Sequence, residues 1–134
     1  MTQLERFTSH FPEGFDAGII ISAPARYYFT KVTTSNGILV ITKEKSYFLT
    51  DGRYIELARN TVKDCEVILM DNIPAQICEI LKKHNAKVVG CEVNALTYTE
   101  FNRYKDMIAP VATLSDSTAF VDAIDDQRSV KTPD

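Results

Sequence analysis

Apolar and polar positions recur along this chain with two periods, one typical of helices and one typical of strands. The first pattern is helical, with Leu4, Phe7 and Phe11 on one face. It is preceded by Thr2, and Glu5 follows three residues later, which is the capping-box spacing that begins many helices. We therefore predict a short amphipathic helix at the amino terminus.

The next segments are rich in β-branched and aromatic residues. Residues 17–22 are apolar on both faces, as are strands inside a covered sheet. Residues 37–42 and 45–50 are two β-rich runs separated by Lys43 and Glu44, a connection suited to a tight turn. These two runs are predicted to form an antiparallel hairpin.

After the hairpin, helical and extended patterns alternate. Strands are predicted for residues 65–70, 86–91 and 110–114. Helical spacing appears after Gly52, from Pro74, after Thr97 and near Ser115, and its inward positions are Tyr54, Leu57, Ala58, Thr61, Ile77, Ile80, Leu81, Phe101, Tyr104, Ile108, Phe120, Val121 and Ile124. Such alternation around a hairpin predicts an α/β fold, with a mixed β-sheet covered by helices on both faces.

The apolar pattern stops after residue 126, and 134 residues fit a single domain. We predict a domain over residues 1–126 and, over residues 127–134, the start of a connection to a further domain. A natural flexible tail is the alternative interpretation of these last residues.

Composition excludes several classes of protein. Hydrophobic residues make up 45% and charged residues 25%, as in ordinary globular proteins, and the net charge of −3 argues against nucleic-acid binding. Apolar runs are far shorter than the roughly 20 residues that cross a bilayer, and the amino terminus lacks the layout of a signal peptide. We expect a cytoplasmic protein that binds neither membrane nor nucleic acid.

Cysteine and histidine are too sparse to indicate a disulfide framework or a zinc site. The three cysteines, which lack C-x-x-C spacing, are predicted to be free structural thiols, with Cys91 buried in its strand. His10 and His84 have no nearby ligand residue and are interpreted as residues at helix ends.

Acidic residues offer one candidate for chemistry. Asp51, Asp71 and Glu92 each follow a predicted strand, so they would share a magnesium ion if they converged at one edge of the sheet. The simpler interpretation is that they turn the chain or cap the next helix. A second acidic group, Asp122, Asp125 and Asp126, is interpreted as a solvated helix face.

The segment from Arg26 to Gly37 joins two core strands and is the second candidate. Its aromatic residues are followed by a polar, hydroxyl-rich bend, which is typical of an exposed recognition loop. The alternative that we adopt for the aromatics places Tyr27 and Phe29 in the core, with Asn36 and Gly37 turning into the hairpin.

Three stretches of the chain, residues 22–30, 35–42 and 47–54, together resemble the amino-terminal domain of the creatinase/prolidase/aminopeptidase P family. They read Ser-Ala-Pro-Ala-Arg-Tyr-Tyr-Phe-Thr, Ser-Asn-Gly-Ile-Leu-Val-Ile-Thr and Tyr-Phe-Leu-Thr-Asp-Gly-Arg-Tyr. Residues 128–133 are similar to the segment that leads into that family's catalytic domain. The resemblance implies a ribonuclease H-like fold and a non-catalytic role for these residues.

The same resemblance implies a parent enzyme, an Xaa-Pro aminopeptidase or dipeptidase acting on peptides with proline at the second position. Its two divalent metal ions, manganese, cobalt or zinc, would be held by a separate carboxyl-terminal domain. The parent is expected to be a homodimer. Two alternatives stay open for the chain alone: a magnesium-dependent hydrolase using the three acidic residues, or a stand-alone binding module.

Site residues follow from the family pattern. The resemblance implies a substrate-access loop that contains Thr33, Thr34, Ser35 and Asn36, with Tyr28 behind it. It also implies a structural turn formed by Asp51, Gly52, Arg53 and Tyr54, in which Arg53 makes an ion pair. Many relatives carry Gly-Phe where this chain has Lys31-Val32, and we expect loss of the glycine to remove access to positive φ and to alter the path of the loop.

Overall fold

The computed structural model describes residues 2–34 and 36–129, and in these residues the chain forms six helices and six strands. In chain order they are α1 (Gln3–Ser9), β1 (Ala17–Ile20), α2 (Ala23–Thr30), β2 (Ile38–Thr42), β3 (Ser46–Thr50), α3 (Ile55–Thr61), β4 (Glu66–Leu69), α4 (Ile73–Lys83), β5 (Val88–Cys91), α5 (Tyr98–Ile108), β6 (Thr113–Leu114) and α6 (Ala119–Ser129). None of these helices is both long and apolar enough to span a bilayer.

The strands form one mixed sheet in the order β4-β3-β2-β1-β5-β6. Strand β2 runs antiparallel to both of its neighbours, whereas the β3/β4, β1/β5 and β5/β6 pairs are parallel. Five strands therefore run in one direction and end at the same side of the sheet. We call this side the carboxyl edge. The chain also enters β2 at the carboxyl edge, because β2 runs the opposite way.

Apolar side chains lie on both faces of the sheet. Helices α1, α2, α3 and α6 cover one face, with Phe7, Phe29, Ala58 and Phe120 in its core cluster. Helices α4 and α5 cover the other face, through a separate set of buried residues that includes Ile77, Ile80, Leu81 and Ile108. The predicted architecture, a mixed sheet with helices on both faces, is confirmed.

Capping residues define where two helices begin, as predicted. Thr2 accepts a hydrogen bond from the backbone N–H of Glu5, and the Glu5 carboxylate accepts one from the N–H of Thr2. Thr97 and Glu100 form the same reciprocal pair before α5. Each pair satisfies amide groups that the first turn of a helix leaves without an internal partner.

Two paired glycines provide space for an aromatic ring at the centre of the sheet. Gly18 of β1 and Gly90 of β5 lie opposite each other, and the ring of Phe120 from α6 packs over both. A Cβ atom added at Gly18 would lie 1.9 Å from Phe120 Cζ, and one added at Gly90 would lie 2.3 Å from Phe120 Cγ. The ring can reach the sheet only because both side chains are absent.

The principal difference from the sequence prediction is helix α2, which lies in a segment where no helix was predicted. It begins after Ser22 and has a proline in its first turn, where the missing N–H costs no internal hydrogen bond. Phe29 is buried in the core as predicted, but Tyr27 points outward and is 52% exposed. Leu57 of α3 is also 52% exposed, so its predicted inward position is wrong.

The last helix extends through Ser129 and includes the first residues of the segment predicted to connect to a further domain. Gln127 donates a hydrogen bond from Nε2 to the backbone oxygen of Gln3 at 2.9 Å, which ties α6 to α1. Residues 130–134 of the predicted connection lie outside the described residues.

Candidate functional site

The loop that enters β2 at the carboxyl edge carries the candidate residues Thr33, Thr34 and Asn36. Residues 31–37, called the 31–37 loop, join α2 to β2. Thr34 is nearly buried there, and its Oγ1 accepts a hydrogen bond of 3.0 Å from Nη1 of the buried Arg26. This bond fixes the middle of the loop to α2.

The carboxylate of Asp51 organises the turn after β3. Arg53 binds it through its backbone N–H at 3.0 Å and Nη2 at 3.1 Å. The side chain of Asn36, at the end of the loop, is near enough to this carboxylate to help lower its pKa. Desolvation raises the pKa of Asp51, but the hydrogen bonds and charge of Arg53, with a smaller contribution from Asn36, outweigh it and leave the pKa below its ordinary value. Asp51 therefore stabilises the turn, in which Gly52 is exposed and the Arg53 guanidinium lies over the Tyr54 ring.

The other candidate loop residues are not all at the same place. Thr33 is exposed within the loop, and Ser35 lies outside the described residues. Tyr28 is on α2, where its hydroxyl donates a 2.7 Å hydrogen bond to Oε1 of Gln3, and Arg128 and Lys31 lie over its ring. The structure thus places Thr34 against Arg26, Asn36 near Asp51, and Tyr28 against α1 and α6.

Lys31 takes the conformation that the missing glycine would have supplied. It ends α2 with φ 63° and ψ 21°, in the left-handed region, and its N–H bonds the carbonyl of Tyr27. The expectation that this position loses access to positive φ is therefore wrong. A non-glycine residue pays a steric cost there because its Cβ crowds the following carbonyl.

Glu92 has a structural role that sequence reasoning did not identify. Its buried carboxylate, at the end of β5, accepts hydrogen bonds from the N–H groups of Ile21 and Ser22 at 2.7 and 2.9 Å and from the Ser22 hydroxyl. It therefore fixes the chain where β1 passes into α2. The partners are 70 and 71 residues away in sequence, so no local signal reveals this contact.

One protein family matches most of this chain in sequence. The model of the creatinase/prolidase N-terminal domain family matches residues 11–130. The chain belongs to this family. The resemblance noted in the three sequence stretches is therefore confirmed, and it extends over most of the chain.

Individual relatives are peptidases by name. A protein called uncharacterized peptidase YqhT, from Bacillus subtilis, is 32% identical over 109 residues, which cover 80% of this chain and 31% of YqhT. An Xaa-Pro dipeptidase from Bacillus anthracis is 26% identical with a TM-score of 0.81, covering 96% of this chain and 36% of that protein. This creatinase/prolidase domain therefore spans about a third of the length of these relatives.

A third structure shows the same fold in a chain of similar length. The aminopeptidase P from Streptococcus thermophilus has a TM-score of 0.79 at 21% identity, and the match covers 93% of this chain and 94% of that one. At this level of identity, the similarity supports the fold alone.

The magnesium site considered for Asp51, Asp71 and Glu92 is not present in this creatinase/prolidase domain. Strands β2 and β1 lie between β3 and β5, which separates Asp51 from Glu92 by three strand spacings, or about 14 Å. Asn72, rather than Asp71, caps α4. In the described residues no group of three or more His, Cys, Asp or Glu side chains is placed to hold a metal ion.

The remaining candidates have structural positions in the domain. Asp122, Asp125 and Asp126 are exposed on α6, as expected for a solvated face. Cys91 is buried, and burial raises the pKa of its thiol to about 11, so it is a poor nucleophile at neutral pH. His10 and His84 end α1 and α4, as predicted.

Proposed function

We propose that this chain is the non-catalytic N-terminal domain of a proline-specific metallopeptidase, an Xaa-Pro aminopeptidase or dipeptidase. The observation that carries the proposal is the family match over residues 11–130, together with relatives about three times as long that are named as peptidases. In this proposal the parent is cytoplasmic and binds two divalent ions, manganese, cobalt or zinc, in a separate catalytic domain.

The part proposed for this domain is to shape substrate access. The 31–37 loop supports it, because the loop carries the exposed residues Thr33 and Asn36 while the hydrogen bond from Arg26 to Thr34 ties it to α2. A loop tied to a helix of the scaffold can present polar groups to a ligand, as binding loops on rigid scaffolds do. Ser35 is included in the proposed loop by its sequence position.

Peptidase assays of this chain alone and of the whole parent protein test the non-catalytic assignment. We expect no hydrolysis of Xaa-Pro peptides by this chain with added manganese, and metal-dependent hydrolysis by the whole parent protein. Hydrolysis by this chain alone would contradict the proposal. If the parent cleaved only peptides without proline, the proposed specificity would be wrong.

Variants of the loop in the whole parent test the access role. Substituting Thr33→Ala and Asn36→Ala together is expected to raise KM severalfold, or to change the preferred peptide length, with kcat within about twofold, because these groups would act in binding. Lys105→Ala, an exposed change on α5, is the matched control. Unchanged KM and length preference in the loop variant would exclude the role.

The proposal also includes a homodimeric parent, in which this domain contributes to assembly. Sedimentation equilibrium of the parent and of this chain separates two cases. A dimeric parent with a monomeric chain would place the main contacts in the catalytic domain, and a dimeric chain would place them here. A monomeric parent would contradict the dimer proposal.

A further inference from the structure

Arg26 is a buried cation whose hydrogen-bonding capacity is mostly unused. Its side chain is 6% exposed, and it lies on α2 against the sheet. Among the described residues, Thr34 is the one side-chain hydrogen-bond partner of this guanidinium, through Nη1, and Nε is buried without a partner. Burying a guanidinium with so few partners is costly, since its charge loses hydration without replacement.

A second buried polar atom without a partner belongs to Thr50. This residue is fully buried at the end of β3, and its Oγ1 has no hydrogen-bond partner. Side chains alternate along a strand, so Thr50 is on the same face as Phe48, which packs in the core cluster under α2. Thr50 therefore lies on the face of the sheet that Arg26 covers.

Gly37 brings the two groups to one place. The β2/β3 register pairs Ile38 with Leu49, and continuing it by one residue sets Gly37 beside Thr50. A Cβ atom on Gly37 would lie 2.9 Å from Arg26 Nη1. The absence of a side chain at Gly37 thus leaves space for the guanidinium next to the Thr50 strand end.

We propose that Arg26 and Thr50 form a binding site for a carboxylate at the carboxyl edge of the sheet. With Nη1 engaged by Thr34, the Nε and Nη2 groups remain as a fork that matches the two oxygens of a carboxylate. The Thr50 hydroxyl supplies a further donor. The proposal stands on these buried groups and does not depend on the peptidase assignment.

The nearby Glu92 favours a small monoanion over phosphate. Its carboxylate binds Ser22, whose carbonyl accepts the first helical hydrogen bond of Arg26. The Glu92 oxygens are engaged with Ile21 and Ser22, so its negative charge lies near Arg26 without pairing with it. The charge of Glu92 acts on Arg26, and it would repel a dianion about twice as strongly as a carboxylate with its single negative charge.

Thermal unfolding of this chain in matched salts tests the site. Sodium acetate is compared with sodium chloride at equal ionic strength and pH 7. Acetate is expected to raise the Tm of the unmodified chain by about 3 °C or more over chloride, because it binds the folded state alone. Arg26→Met should show the same Tm in both salts and a higher Tm than the unmodified chain in chloride.

Two further variants make the result decisive. Thr50→Val keeps the shape of the side chain and is expected to reduce the acetate effect by about half. If Arg26→Met does not fold, the test rests on Thr50→Val. Arg103→Met, which removes an exposed arginine on α5, should keep the full effect. Equal Tm values of the unmodified chain in both salts, or an undiminished acetate effect in Arg26→Met or in Thr50→Val, would overturn the proposal.

The source of the carboxylate is distinguished by two probes. N-acetyl-alanine presents a peptide carboxyl terminus, and N-acetyl-aspartic acid α-amide presents a side-chain carboxylate. Tenfold tighter binding of the first by the unmodified chain would identify a peptide terminus as the ligand, and the reverse would identify an acidic side chain of another polypeptide. Failure of both to bind, with acetate also inactive, would again exclude the site.

Discussion

Nη1 of Arg26 donates a hydrogen bond to Oγ1 of Thr34 at 3.0 Å, and this contact joins helix α2 to the loop that precedes β2. Both side chains are at least nine-tenths buried. The contact ties the loop to the folded core directly beside the exposed Thr33.

Removing the hydroxyl of Thr34 is the first prediction. Thr34→Val should lower the free energy of unfolding by about 1–3 kcal/mol, because the buried guanidinium loses its acceptor. Urea unfolding measures the change. Thr33→Val is the matched control, since Thr33 is exposed, and it should change stability by under about 0.5 kcal/mol. Equal effects at the two positions would show that the bond contributes nothing.

The left-handed residue Lys31 leads to a second prediction. Lys31→Gly should be about 1 kcal/mol more stable than Lys31→Ala, because only glycine adopts φ 63° without a steric cost. Both variants lose the ammonium group over the Tyr28 ring, so the comparison isolates the backbone. Thermal unfolding provides the test, and an alanine variant at least as stable as the glycine variant would contradict the assigned conformation.

Asp16 leads to a prediction on pH. Its carboxylate accepts hydrogen bonds from the N–H groups of Val88 and Lys87, at 3.0 and 2.9 Å, and these bonds lower its pKa. A lowered folded pKa contributes stability that is complete above the unfolded pKa, roughly 3.9, and is lost as pH falls through the folded value. Asp16→Asn should therefore reduce stability at pH 7 by about 1 kcal/mol and converge with the unmodified chain in acid.

Denaturant titrations between pH 7 and pH 2 measure this difference. Asp106→Asn, which removes an exposed carboxylate on α5, should run parallel to the unmodified chain. A constant difference between Asp16→Asn and the unmodified chain over the whole range would show that the Asp16 charge makes no contribution.

The paired glycines give a fourth prediction. Gly18→Ala should destabilise the fold by about 3 kcal/mol or more, because the new methyl group would overlap the Phe120 ring. Phe120→Leu alone should also destabilise, but adding it to Gly18→Ala should recover part of the loss. A double-mutant cycle by urea unfolding measures this coupling. Strict additivity would contradict the described packing.

Much of the architecture could be predicted because the core signals are local. The capping boxes at Thr2 and Thr97, the hairpin and the apolar spacing of α4 are all encoded within a few residues. Helix α2 was missed because aromatic and β-branched residues favour strands, while its helical signal was limited to Pro24 after Ser22. The contacts that hold this helix, from Ser22 to Glu92 and from Arg26 to Thr34, are not visible in the local sequence.

Site geometry was less predictable because its contacts cross the sheet. Glu92 was interpreted from its place after a strand, yet its carboxylate binds the start of α2. Likewise, the type of residue at position 31 suggested an altered loop, but Lys31 ends α2 in the left-handed region with its N–H bonded to the carbonyl of Tyr27. Such contacts depend on strand order, which residue patterns leave open.

The packing of the Phe120 ring over Gly18 and Gly90 couples three positions that are far apart in the chain. Neither glycine can acquire a side chain while Phe120 stays, and a smaller residue at position 120 would leave a void over two bare strands. Substitutions at these sites should therefore arise in combination during divergence. A substitution at position 18, 90 or 120 in a related protein should therefore be accompanied by a compensating substitution at another of these positions.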